Sequence, residues 1–281
     1  MKQILKVLIL AVALSSIAVG QSICRQFRPV PDRCDLTANV KEQARCLLRP
    51  VKKFGNLGEP LPTLPALLDT LIGQPVEPAL SLERIRNYLA RNGIRERDVG
   101  GTLSVRLAKP RYFVIHDTSD FLSGANGFPT NVDQDSWAPN NLAVRVRRKI
   151  CHVYVNRLGV SATAIPFASA NPPKGTKFSA CHSAQKSKFI HIENIQPRIR
   201  DRSVSFSNDA IAPNPGFTDS QLERLALLYL IASVRSGKWL IPAYHSPIDL
   251  GYPNRHDDPQ NFNLNEWTEK LSVLLDRINA S

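Results

Sequence analysis

Tyr112-Phe113-Val114-Ile115-His116-Asp117-Thr118-Ser119 is the stretch on which the reading of this chain turns. Four apolar, strand-prone residues in a row read as a buried β-strand, because a half-exposed strand would alternate polar with apolar. The run ends on an imidazole and passes into polar residues. Working outward, Val153-Tyr154-Val155 and Phe189–Ile192 are further strand candidates, and Leu103–Leu107 alternates. Ala143–Ile150 alternates apolar residues with arginine, and Trp239-Leu240-Ile241 returns to strand. Between them a helix opens at Thr218 with the capping box Thr218-x-x-Gln221 and places Leu222, Leu225, Leu228 and Ile231 at helical spacing. A last helix is expected from about Glu266 to Ile278. Strands interleaved with a long central helix predict an α/β fold, with the polar loops at strand ends as the place for a site.

Upstream the character changes. Residues 21–100 read as an N-terminal, mostly helical or irregular accessory segment, with Pro-rich stretches at Pro29–Pro31 and Pro60–Pro65. One helix is clear there, from Ser81 as N-cap through Leu82, Ile85, Tyr88 and Leu89 to the stop at Asn92-Gly93. Gly100-Gly101 marks a boundary, after which 101–281 forms the main unit. Residues 1–20 have the basic start, short apolar middle and small-residue end of a signal peptide cut after Gly20, which predicts a periplasmic or secreted protein. An uncleaved anchor is the alternative, although the apolar stretch is short for a membrane span. A lipoprotein at Cys24 is disfavoured by Ile23 before it.

The chain has 281 residues and a net charge of +12, which becomes +10 once Lys2 and Lys6 leave with the leader. At 43% apolar and 21% charged it is neither disordered nor a polytopic membrane protein. An exported chain with 7% aromatics and no recognition motif is not expected to bind nucleic acid. All five cysteines (Cys24, Cys34, Cys46, Cys151, Cys181) lie in the mature part, where disulfides persist, and none forms a CxxC pair. The simplest partition is Cys151–Cys181 plus one bridge among Cys24, Cys34 and Cys46, with that choice left open.

The histidines carry the chemistry. His116 ends one strand, His245 ends another, and His256-Asp257-Asp258-Pro259 concentrates acid and imidazole in a loop. Two strand-end imidazoles and a carboxylate are the three-ligand set of a catalytic zinc, whose fourth position stays open to water. The competing reading is of hydrogen-bonded structural histidines beside an ordinary Asp-Asp-Pro turn.

From about residue 103 onward, four blocks in order resemble the zinc-dependent N-acetylmuramoyl-L-alanine amidases, whose type-2 fold is shared with peptidoglycan recognition proteins. The blocks are Tyr112–Ser119, His152-Val-Tyr-Val-Asn-Arg-Leu-Gly159, Phe189-Ile-His-Ile-Glu193, and the stretch from Phe217-Thr-Asp-Ser-Gln-Leu222 through His245 to Arg255-His-Asp-Asp-Pro259 and Phe262. The resemblance implies a mixed central β-sheet flanked by helices, Zn2+ held by His116, His245 and Asp258, and Glu193 as general base. It places His256 where many members have a lysine that stabilises the oxyanion, and His152 and His182 as substrate-contacting or supporting residues. It also implies a Cys151–Cys181 bridge along the pocket wall. The implied substrate is peptidoglycan or its muropeptides, cut between N-acetylmuramic acid and L-alanine by a monomer with no stable membrane insertion. Alternatives are a non-catalytic peptidoglycan-binding module on the same fold and an interbacterial toxin with the same chemistry. Arg145, Arg147, Arg148 and Lys149 are then either a solvated edge strand or an attraction to the anionic wall. The chain departs from the family at His191, where glycine is usual, and at Gln260 after Asp258-Pro259.

Overall fold

The computed structural model describes residues 23–124, 126–201 and 210–280, so the expected leader at 1–20 lies outside the described residues. The architecture is α/β. Strands β1 (Tyr112–Asp117), β3 (Val153–Val155), β4 (Ser161–Thr163), β5 (Phe189–Asn194) and β8 (Ile241–Tyr244) form one sheet in the order β4-β3-β5-β1-β8. The contacts β3–β5, β5–β1 and β1–β8 are parallel, and only β4 runs antiparallel, so the sheet is mixed. A smaller sheet joins β2 (Asp120–Phe121), β6 (Pro197–Arg200) and β7 (Ala210–Ile211).

Every residue of β1 and of β5 is buried, which is why β1 opens on the continuous apolar run 112–115 and β5 carries apolar residues on both faces. Helices cover the sheet. They are α1 (Val40–Leu47), α2 (Ala66–Leu71), α3 (Leu82–Arg91), α4 (Leu142–Arg145), α5 (Lys177–Cys181), α6 (Asp219–Ser236), α7 (His245–Ile248) and α8 (Leu264–Asn279). The capping box of α6 forms as expected: Thr218 Oγ1 accepts from Gln221 N–H and Gln221 Oε1 from Thr218 N–H. Yet α6 is buried nearly all round, because α8 packs on the side that the sheet leaves open. Trp267 of α8 sits fully buried there, with its ring 5.3 Å from that of Tyr229.

The segment 23–100 contributes to the same core. Leu47, Leu68 and Ile85 belong to one continuous apolar cluster with Phe113, Tyr229 and Trp267. α1 packs on β8, and the Tyr112 hydroxyl donates to Gln43 Oε1 at 2.8 Å. The helix expected after Ser81 is α3, with Ser81 Oγ accepting from Arg84 N–H. Among the described residues, no helix is long and apolar enough to cross a membrane.

Three sequence expectations change. Ala143–Ile150 is not a strand but α4 followed by a turn of 3-10 helix, Val146–Arg148. Asn141 caps it, and Leu142 and Val146, four apart, pack into the same apolar cluster; the alternating arginines only imitated a two-residue period. Arg145 turns inward to Asp120 at 2.6 Å, leaving Arg147, Arg148 and Lys149 exposed. Leu103–Leu107 finds no neighbouring strand: Leu103 N–H donates to Glu96 Oε2 and Leu107 N–H to Arg235 O. Finally, Cys151 and Cys181 are not bridged. The disulfides are Cys24–Cys181 and Cys34–Cys46, and Cys151 is a buried free thiol. Cys151 packs among Trp137, Leu142, Tyr154 and Ile195, whereas Cys181 lies against the main core, so the two sulfurs belong to different clusters. Two disulfides suit an oxidising compartment.

Candidate metal centre

Parallel pairing brings the chemistry to one edge of the sheet. β1 and β5 run in register with His116 opposite Glu193, both at the carboxyl ends of their strands. β8 lies on the other side of β1, and His245 follows directly as the first residue of α7. Carboxyl ends of adjacent parallel strands are where open α/β sheets place their ligands. Asp258 arrives from the loop after α7, tied down by Ser246 N–H donating to Asp258 O at 3.0 Å.

His116, His245 and Asp258 are all buried, and each offers a ligand atom within 4.8 Å of the other two. His245 Nδ1 lies 2.9 Å from Asp258 Oδ1, and His116 Nδ1 lies 3.5 Å from Asp258 Oδ2. Glu193 Oε1 stands 3.9 Å from His116 Nδ1. Glu193 Oε2 is buried without a hydrogen-bond partner, an arrangement that costs free energy unless something charged satisfies it. Two imidazoles, one carboxylate and an adjacent unpartnered carboxyl are a donor set that fits a metal cation.

The groups perturb one another strongly. Burial, followed by the charge of His245, lowers the His116 pKa to about 4. Burial would lower His245 as well, but Asp258 and Asp249 outweigh it and hold His245 well above the ordinary imidazole value. Burial and then the Asp258 charge push Glu193 well above the usual carboxylate range.

Each candidate ligand histidine is held from behind. His245 Nε2 meets Asp249 Oδ2 at 2.8 Å, and Asp249 in turn accepts from the backbone N–H groups of Lys177 and Phe178. His116 Nε2 meets His191 Nδ1 at 3.0 Å. Below them, the fully buried Arg198 donates from Nη2 to Asp117 Oδ2 at 2.6 Å, and the same oxygen accepts from Gln260 N–H. This pair locks β1 to the loop that carries Asp258. Sequence reasoning missed Asp249 and Arg198; the four-residue step from His245 to Asp249 was the one signal available for the former.

The remaining sequence candidates divide. His256 is exposed and its ring stacks 5.1 Å from that of His245, so it borders the cluster from the solvent side. His182 is also exposed, stacked on Phe178 at 4.3 Å beside the Cys24–Cys181 bridge. His152 is fully buried behind the cluster and accepts at Nδ1 from His191 N–H. No family model matches the chain, and no curated protein or solved structure matches it either. What fold and site together define is an α/β protein with a buried His-His-Asp cluster able to hold a metal ion.

Proposed function

We propose that the protein is an exported zinc-dependent amidase that hydrolyses the bond between N-acetylmuramic acid and L-alanine in peptidoglycan or its fragments. One observation carries the reading: the His116–His245–Asp258 cluster has Glu193, a buried carboxyl with an unpartnered oxygen, 3.9 Å from His116 Nδ1. The substrate class comes from the four-block resemblance, and the location from the leader-like residues 1–20 together with the two disulfides.

When bound, zinc supplies Lewis acidity toward the amide carbonyl and makes water acidic enough to react near neutral pH. Glu193 takes the proton of the attacking water and returns it to the leaving alanine nitrogen. Its desolvated carboxyl, already inclined to carry a proton, suits the second half of that task. His256, stacked on the exposed side of His245, hydrogen-bonds the oxyanion in this reading as it develops. The exposed Arg147, Arg148 and Lys149 favour approach to an anionic wall polymer.

The test is digestion of purified sacculi with and without a chelator, read by mass spectrometry. Release of intact stem peptides, abolished by chelation and restored by zinc, is the expected result. Glu193→Ala should keep zinc and lose turnover by about 10²-fold or more. Zinc binding with sacculi left intact would instead leave a wall-binding module, and disaccharide products would overturn the assignment.

A further inference from the structure

We propose that His191 is a positioning residue for the metal centre, selecting the tautomer in which His116 offers Nδ1 to the cation. The inference rests on the metal reading of the cluster, and goes beyond it by giving work to one of the residues at which the chain departs from the amidase pattern.

His116 has its Nδ1 on the Asp258 and Glu193 side and its Nε2 3.0 Å from His191 Nδ1. A neutral imidazole that gives Nδ1 to a metal carries its proton on Nε2, and that proton needs an acceptor. His191 Nδ1 is the acceptor the fold supplies, and it leaves His191 with its own proton on Nε2, which is buried without a partner. An unpartnered buried N–H is a cost, and packing alone would be served as well by an apolar ring.

The His191 ring is also fitted from its flanks. Its backbone N–H donates to His152 Nδ1, and the two rings lie nearly parallel, 6.0 Å apart. On another side is Gly175, where an added Cβ would come 2.6 Å from His191 Cγ and Nδ1. Glycine at 175 therefore leaves room for this imidazole. The two ligand histidines are thus held differently: His245 by a carboxylate, Asp249, and His116 by an uncharged ring.

The experiment compares zinc affinity, by chelator competition, with the visible spectrum of the cobalt-loaded protein in full-length variants. His191→Phe keeps a ring and removes the acceptor; zinc affinity is expected to fall about 10- to 100-fold and the cobalt spectrum to change. His191→Asn sets a carbonyl oxygen near the place of Nδ1, and is expected to stay within about threefold of the wild type. Gly175→Ala displaces the ring without altering its chemistry, and should weaken zinc binding even if His191→Phe proves too unstable to purify. Equal affinity and an unchanged cobalt spectrum in His191→Phe would overturn the proposal, as would equal losses in the Phe and Asn variants, which would mark a packing role. A wild-type protein that binds no zinc would overturn the metal reading itself, and so is distinguishable from either.

Discussion

Replacing Arg198 with methionine tests the buried pair beneath the cluster. Arg198 and Asp117 are both without solvent contact at their side chains, so the variant leaves a desolvated carboxylate facing no cation. Breaking a buried pair from one side costs about 3–5 kcal/mol. Here Asp117 would keep three donors, Ser119 N–H, Ser119 Oγ and Gln260 N–H, which places the expected loss at the low end, about 3 kcal/mol near pH 8. The loss should depend on pH. Burial already holds the folded-state Asp117 pKa above its ordinary value despite Arg198, and removing the guanidinium raises it further. A carboxyl raised on folding adds stability at low pH, where it is protonated in both proteins, and loses it as pH climbs through the folded value. The penalty of Arg198→Met must therefore shrink toward about pH 4 and grow toward about pH 8, each unit of extra shift adding about 1.4 kcal/mol. Equilibrium urea unfolding with the disulfides intact, run at both pH values, measures this. The double variant Asp117→Asn/Arg198→Met should recover part of the loss. A penalty below about 1 kcal/mol near pH 8, or one that does not vary with pH, would refute the reasoning.

Asp249→Ala should weaken zinc binding about 10- to 100-fold by freeing His245 Nε2, seen by chelator competition; unchanged affinity would remove Asp249 from the metal's support. Because Asp258 and Asp249 hold His245 in its protonated form in the metal-free protein, zinc uptake at neutral pH should expel about one proton from it. Calorimetry in buffers of different ionisation enthalpy would register that release, and affinity should rise with pH until His245 deprotonates unaided. Removing the Cys34–Cys46 bridge, whose partners are 12 residues apart in sequence, should cost about 3 kcal/mol in thermal or urea unfolding. Trp267→Ala should cost about 3–5 kcal/mol by the same measurement, since the fully buried indole fills the space between Tyr229 and Phe262.

Much of the fold was legible because its signals are local. The apolar run 112–115, the capping box at Thr218 and the Ser81 cap each depend on residues within one turn or one strand, and all three form. Ala143–Ile150 misled because its arginines alternate while the apolar residues that pack, Leu142 and Val146, sit four apart, and only the cluster around Trp137 and Tyr154 decides which period is used. His116 and His245 were readable from residue type and position at strand ends, Asp258 was implied by the four-block resemblance, and the fold brings all three together.

The sequence alone therefore determined the α/β class, the main strands and helices and the two candidate ligand histidines, since each follows from short-range periodicity, capping or side-chain chemistry; Asp258 was singled out by the resemblance. Tertiary structure alone decided that Cys181 joins Cys24, that His191 backs the His116 imidazole, and that Arg198 neutralises Asp117. Those pairings depend on which distant segments share a few cubic ångströms. Distances in space between residues 81 or 157 positions apart are set by strand order and register, which no local pattern encodes.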